Sequence, residues 1–151
     1  MANRIVRIES ITIENFKNVT QGTLDFENKR KDYKASVLGL YGQNGSGKTA
    51  LIDAIQLLKF ALCGKVIPKK YADYINVDAE NATLKYEFVV RYAEIIYKVW
   101  YQFSMRKVID ESVTTPDETT NANVTTKVEM FDEVLSFSYE SDTDKMRKAP
   151  L

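Results

Sequence analysis

The octapeptide at residues 42–49 constrains this chain more than any other feature, because its pattern requires a particular local fold. It is a glycine-rich loop that ends in lysine and threonine, and it reads Gly42-Gln43-Asn44-Gly45-Ser46-Gly47-Lys48-Thr49. Between a strand and a helix, such a loop curls its backbone so that successive N–H groups converge on phosphate oxygens. The sequence therefore predicts a phosphate-binding loop, or P-loop.

The positions of the P-loop have different predicted roles. Lys48 is the candidate catalytic residue, because its ammonium would reach the β- and γ-phosphates of a nucleotide. The Thr49 hydroxyl is the candidate metal ligand, since it would complete the coordination of Mg²⁺. The remaining predicted nucleotide contacts are mainly backbone groups of Gly42, Gln43, Asn44, Gly45, Ser46, Gly47 and Ala50.

The flanking residues fit the strand and the helix that a P-loop needs. Residues 36–41 are uncharged and mostly apolar, which is typical of a buried parallel strand. Apolar residues then recur at helical spacing, and Gly64 stands where a C-terminal cap belongs. We predict a helix from about Lys48 to Cys63, with an apolar face formed by Leu51, Ile55, Leu58 and Leu62.

Composition limits the chemistry that the chain can perform. Its 151 residues suit a single domain with one core, and 21 basic residues balance 21 acidic ones. Because the chain has no histidine, it has no histidine base or histidine metal ligand. The amino end lacks the features of a signal peptide, so we predict a cytoplasmic location and no membrane partner. The lone Cys63 is predicted to be a small buried residue rather than a reactive thiol.

The rest of the chain is rich in predicted strands. We expect a hairpin over residues 4–27, with its turn at 18–22, and a β-rich region over 82–140. That region begins with alternating stretches at 83–92 and 95–105, whose aromatic stripe we assign to the core rather than to base stacking. A loop at 113–126 and two short strands, 127–131 and 134–139, complete it. The predicted fold is an α/β P-loop NTPase lobe with a mixed sheet, whose antiparallel β-rich part surrounds the P-loop helix.

Three motifs in this order resemble a known group of proteins. An "I-x-N-F-(K/R)" strand at 13–17 precedes the P-loop, and a helix follows with "L-x-D-A-I" at 51–55. This resembles the amino-terminal lobe of ABC-type ATPases of the RecF and structural-maintenance-of-chromosomes kind. It is especially similar to the bacterial AAA-family proteins grouped with them, some of which act in phage defence. The resemblance implies that ATP is the nucleotide and that Phe16, Lys17 and Asn18 lie near its adenine or ribose. A buried core position is the alternative for Phe16.

The chain departs from those families after residue 62. They carry a Q-loop, a signature loop and a Walker B strand that ends in Asp-Glu, and the nearest candidate here, residues 128–133, has Glu129 in mid-strand. We therefore predict that Asp132 and Glu133 are surface carboxylates on a turn, and that Gln102 is no Q-loop residue. Residues 1–151 are then expected to be one amino-terminal lobe of a longer ATPase, with weak or no hydrolysis on their own.

Three hypotheses about function follow. The leading one is an ATP-binding lobe of an ATPase that forms a homodimer through its remaining lobe, with a DNA or effector-nuclease partner. The second is a non-catalytic module whose P-loop is vestigial and whose β-rich half docks a partner. The third, a small-molecule kinase, lacks recognisable lid arginines after the P-loop helix.

Overall fold

In the part of the chain that the structure describes, the architecture is one antiparallel sheet with one long helix against it. The computed structural model describes residues 4–26, 39–93, 95–110 and 125–141, without the side chains of 140 and 141. The strands are β1 (Arg4–Phe16), β2 (Val19–Asp25), β3 (Asn81–Tyr92), β4 (Ile95–Ile109) and β5 (Thr126–Ser141), and the helices are α1 (Lys48–Leu62) and a 3₁₀ helix (Lys69–Tyr74). The strand order is β2-β1-β3-β4-β5, and every neighbouring pair is antiparallel.

Both predicted hairpins are present, and the first turn is tighter than expected. Phe16 pairs with Val19, so only Lys17 and Asn18 separate β1 from β2. Lys17 has a φ of 55°, the left-handed value that two-residue hairpin turns use. Residues 19–22, predicted as part of the turn, therefore belong to β2. In the second hairpin Tyr92 pairs with Ile95, as the alternating pattern predicts.

The two short strands predicted at the end of the region are one strand. β5 runs unbroken from Thr126 to Ser141, and its register against β4 shifts between Gln102 and Ser104. Asp132 has a φ of 50° at that shift, so Asp132 and Glu133 form a β-bulge and not a turn. Of the predicted loop at 113–126, residues 113–124 lie outside the described residues.

Of the predicted mixed sheet, the antiparallel part is present among the described residues. Residues 36–38 of the expected parallel strand lie outside the described residues, and residues 39–41 form no strand. A central parallel strand needs cover on both faces, yet Leu40 is 40% exposed and Tyr41 is 95% exposed. Among the described elements, none supplies that cover.

The core lies between α1, the 3₁₀ helix and one face of the sheet. It contains helix residues Ala50, Leu51, Ala54, Leu57 and Leu58, strand residues Ile11, Ile13, Phe16, Leu84, Tyr86, Tyr101, Phe103 and Met105, and the following segment's Tyr71 and Ile75. The core assignment of the aromatic stripe is thus confirmed at Tyr86, Tyr101 and Phe103.

The helix bounds agree with prediction, and its buried face is rotated from the predicted one. Ile55 and Leu62 are 39% and 61% exposed, because the buried face is centred on Ala54, which is fully buried. Cys63 is exposed, contrary to prediction, since it caps the helix beyond its last buried turn. Gly64 has a φ of 59°, and the bonds from Gly64 N–H to Ala61 O and from Lys65 N–H to Phe60 O complete the expected glycine cap. In the part of the chain that the structure describes, neither α1 nor any other helix has the length and apolar character that a membrane crossing requires.

Candidate phosphate-binding site

Glycine geometry shapes the P-loop and starts α1. Gly45 and Gly47 have φ values of 86° and 87°, a left-handed conformation that glycine adopts at little cost. Gly47 is also the N-cap of α1, and its carbonyl accepts the Leu51 N–H at 3.1 Å. The loop therefore curls and passes directly into the first helical turn, which has no acidic residue. The amino end of α1 thus presents its dipole to the loop without an opposing side-chain charge.

The ammonium of Lys48 lies within the curve of the loop. Its Nζ donates hydrogen bonds to the carbonyls of Gly42 and Gln43, both at 2.7 Å, and to Ser46 Oγ at 3.1 Å. A Cβ at Gly42 would come within 2.6 Å of Ser46 Oγ, so the closed loop has space for glycine at this position. The loop thus holds a cation among exposed backbone groups, and a phosphate fits this arrangement because its oxygens can replace the carbonyls that Lys48 now contacts.

Thr49 and Ala50 occupy the first turn of α1 in different environments. Thr49 is exposed, as a metal ligand beside the loop must be. Ala50 is only 1% exposed and its side chain packs in the core. The backbone of Ala50 is therefore the part of that residue that faces a ligand at the helix amino end.

The turn between β1 and β2 lies directly beside the P-loop. Asn18 Nδ2 donates a hydrogen bond to the carbonyl of Gly45. Lys17 Nζ forms an ion pair with Asp53 of α1 and lies 4.0 Å from the centroid of the Tyr74 ring. Phe16 is fully buried, which favours its core interpretation. The structure thus brings Asn18 to the P-loop and Lys17 to the helix that follows it, and it buries Phe16 in the core.

Asp53 and Tyr74 are neighbours of the site that sequence reasoning did not select. Asp53 belongs to the "L-x-D-A-I" motif, so the sequence identifies its position but not its pairing with Lys17. Tyr74 follows no pattern that would have revealed it. Burial, and then the negative charge of Asp53, raise the pKa of Tyr71, whose ring packs edge-on against that of Tyr74.

The candidate Walker B residues have other partners, in keeping with their rejection above. β5 lies antiparallel to β4 at the edge of the described sheet. Glu129 pairs with Arg106, and Glu133 Oε1 accepts a hydrogen bond from the Tyr101 hydroxyl at 2.6 Å. Gln102 lines a shallow hollow with Lys85 and other polar residues. None of these groups contacts the P-loop through an interaction that the structure describes.

Comparison with known proteins agrees with the motifs. The chain is 46% identical over 83 residues to the "DNA replication and repair protein RecF" of Chlorobaculum parvum, which is 55% of this chain and 20% of that protein. It is 38% identical over 80 residues to RecF of Deinococcus radiodurans, covering 53% of this chain and 20% of that protein. For RecF of Azobacteroides pseudotrichonymphae the match is 45% over 53 residues, or 35% and 13% of the two chains. The chain thus spans one fifth or less of these relatives, and no solved structure matches it significantly.

A family model covers most of the chain. The model described as "AAA domain" matches residues 10–144, which include β1 from Ser10 onward, β2, the P-loop, α1 and all of the later strands. The resemblance to RecF-like ATPases of the AAA group is thereby confirmed, and the chain belongs to the AAA domain family.

Proposed function

We propose that this chain is the ATP-binding amino-terminal lobe of a RecF-like ATPase, in which residues 42–50 hold the phosphates of ATP together with Mg²⁺. The observation that carries this proposal is the closed loop around the Lys48 ammonium. Its two carbonyl contacts at 2.7 Å keep the charge at the centre of the loop, beside the amino end of α1.

The residues of the site divide the work of binding. Lys48 exchanges its carbonyl partners for β- and γ-phosphate oxygens, and the exposed Thr49 hydroxyl supplies an oxygen to Mg²⁺. Mg²⁺ held there would neutralise part of the phosphate charge. The backbone N–H groups of the loop and of Ala50 complete the phosphate contacts.

The chain is further proposed to work as one lobe of a longer ATPase. The RecF relatives are at least five times longer than the matched stretch, which supports this interpretation. In that longer protein we expect residues 36–41 to be the parallel strand of a mixed sheet, with other segments covering Leu40 and Tyr41. Because Glu129 and Glu133 are engaged on β5, we expect the carboxylate that positions water to come from outside this chain. Hydrolysis by residues 1–151 alone is therefore expected to be weak or missing.

The partners follow from the same proposal. The relatives are named for DNA replication and repair, so we propose work on DNA, with homodimerisation through the remaining ATPase lobe. An effector nuclease in phage defence stays a prediction from the resemblance. A cytoplasmic setting, where ATP is abundant, fits each of these roles.

The direct test is titration with fluorescent ATP and Mg²⁺. Lys48→Ala should weaken binding at least 10-fold, because a charge-assisted phosphate contact is removed. Lys59→Ala, an exposed lysine in the last turn of the same helix, is the matched control and should bind as the wild type does. Thermal unfolding of all three proteins checks that they are folded. Equal affinity of Lys48→Ala and the wild type, or no binding by the wild type, would contradict the proposal.

One observation favours the second function, a docking module with a vestigial P-loop. Leu135, Phe137 and Tyr139 are 65%, 67% and 66% exposed at alternate positions of β5, so they lie on one face of the strand. Such an apolar surface is typical of an interaction site. The titration separates the two functions, because a vestigial loop would leave the wild type without affinity for ATP.

A further inference from the structure

We infer that the β1–β2 turn positions the P-loop, so that Lys17 and Asn18 act through the loop and through α1 rather than by contact with adenine or ribose. The inference rests on the proposed function in that it takes the P-loop as the phosphate site. Three successive residues of the hairpin, Lys17, Asn18 and Val19, each contact a different point of the loop and its helix. Together these contacts hold the loop and the start of α1 against the hairpin.

The first contact orients a peptide group. Asn18 Nδ2 donates to the carbonyl of Gly45, whose φ is 86°. In a trans peptide the C=O of one residue and the N–H of the next point in opposite directions. Holding the Gly45 carbonyl towards Asn18 therefore directs the Ser46 N–H the other way, where it meets the Gln43 carbonyl at 3.2 Å. That N–H is one of the groups a phosphate oxygen would engage.

The second contact is close packing at the helix start. Val19 is the first residue of β2. A Cβ on Gly47 would lie 2.9 Å from the Cγ2 atom of Val19. The N-cap of α1 therefore packs so closely against the hairpin that no side chain fits at this position. Gly47 is required here by packing as well as by its φ of 87°.

The third contact anchors the turn itself. The Lys17 and Asp53 side chains are 21% and 18% exposed, so their ion pair is shielded from most of the solvent. The Lys17 N–H also donates to the Tyr74 carbonyl, and its ammonium lies over the Tyr74 ring. Lys17 is thus held between α1 and the segment that follows it. With its charge paired to Asp53, Lys17 fixes the place from which Asn18 reaches Gly45.

These contacts matter because they add to the hydrogen bonds that the loop makes within itself and with Lys48. Residues 42–46 are exposed, and a loop that must become ordered on binding loses affinity for every ligand that it holds. A positioning residue should therefore affect all phosphate ligands alike. A residue that contacts the base or sugar should affect only ligands that carry one.

The experiment compares Mg²⁺-ATP with Mg²⁺-tripolyphosphate, which has the phosphates but no nucleoside. Asn18→Ala should weaken both by a similar factor, about 3- to 10-fold, as expected for one lost hydrogen bond. Thr20→Ala, an exposed position on the same hairpin, is the control and should weaken neither. Amide hydrogen exchange without ligand should speed up across residues 42–48 in Asn18→Ala alone. Thermal unfolding separates this effect from general loss of structure.

The outcomes separate this inference from the proposed function. Loss of ATP affinity with tripolyphosphate binding unchanged would assign Asn18 to the nucleoside and overturn the inference, as would no change for either ligand. Wild-type binding of ATP without measurable binding of tripolyphosphate would also overturn it, because the phosphates would not be the main contact. Failure of the wild type to bind either ligand would instead overturn the proposed function.

A second set of variants tests the anchor. Lys17→Met and Asp53→Asn should each weaken tripolyphosphate binding a few-fold, and the double variant should be no worse than the worse single one, because both remove the same ion pair. If Lys17 contacted phosphate directly, Lys17→Met would weaken binding and Asp53→Asn would not. Lys17→Arg, which can keep the ion pair, should restore most of the affinity. Additive losses, or none, would contradict a shared anchor.

Discussion

The two ends of one sheet face have the same sequence pattern and opposite burial. At one end Ile13, Leu84 and Phe103 are 5%, 0% and 0% exposed, whereas at the other Val6 and Phe137 are 66% and 67% exposed. β4 has 15 residues and is about 50 Å long, while α1, also of 15 residues, spans only about 22 Å. Among the described elements, α1 and the 3₁₀ segment cover the first end only. The helix that begins at the P-loop is therefore also the main cover of the core.

The largest expected effect on stability is at the buried end of this face. Phe103→Ala, at a fully buried position, should lower the free energy of unfolding by about 3–5 kcal/mol, because it leaves a cavity beneath the helix. Phe137→Ala is the matched change at the uncovered end and should cost within about 0.5 kcal/mol. Urea unfolding followed by circular dichroism measures both. Similar costs for the two variants would mean that the far end is covered too, for instance by a second copy.

The next largest effect is a loss of folding stability at alkaline pH, through Tyr86 at the covered end. Burial, and then the neighbouring Tyr101, raise the pKa of Tyr86 well above its usual value, so the folded state keeps this phenol neutral. The unfolded chain loses the proton above a pH of about 10, and each such group then lowers stability by up to about 1.4 kcal/mol per pH unit. This stability is complete below that pH and is lost as the pH rises towards the folded-state pKa.

Unfolding free energies measured between pH 9 and 11 test this. The decline should be less steep in Tyr86→Phe than in the wild type, because phenylalanine has no proton to lose. Tyr139→Phe, at a side chain that is 66% exposed, should leave the slope unchanged. Parallel slopes for Tyr86→Phe and the wild type would show that Tyr86 does not contribute.

At neutral pH the same pair of variants gives a smaller contrast. The Tyr86 hydroxyl donates to the Ala54 carbonyl at 2.8 Å, which links the middle of the sheet to α1. Tyr86→Phe should therefore cost about 1–1.5 kcal/mol, whereas Tyr139→Phe should cost nothing measurable. Thermal or urea unfolding at pH 7 resolves this difference. An unchanged Tyr86→Phe would mean that this link does not hold the helix in solution.

The sequence predicted local features well where one residue type determines the backbone. The glycine cap at Gly64, the start of α1 at Lys48 and the hairpin at 92–95 all follow from local pattern, and all are present. The alternating pattern of β3 and β4 predicted a hairpin correctly, but it could not show which end of the face is buried. Burial of one end depends on where α1 packs on the sheet, and the tertiary structure determines that position.

The same limit explains the errors in the helix and at the site. Ile55 and Leu62 were placed on the buried face because they are apolar, whereas Ala54 allows the helix to lie close to the sheet and turns them outward. The partnership of Lys17 with Asp53 joins residues far apart in sequence, so no local pattern reveals it. The P-loop was recognisable because its glycines, lysine and threonine are consecutive.

The smallest expected effect on stability concerns the uncovered end. Replacing Leu135 and Phe137 together by threonine keeps β-propensity and removes two exposed apolar groups from β5, which lies at the edge of the described sheet. The unfolding free energy should change by less than about 0.5 kcal/mol, since neither side chain is buried. Self-association, measured by analytical ultracentrifugation over a range of concentrations, should fall, because exposed apolar patches on sheet edges promote it. A matched change on the opposite edge, Thr20→Ala in β2, should not alter association. If the double variant unfolded more easily than the wild type in a concentration-dependent way, the far end would be part of an interface that stabilises the fold.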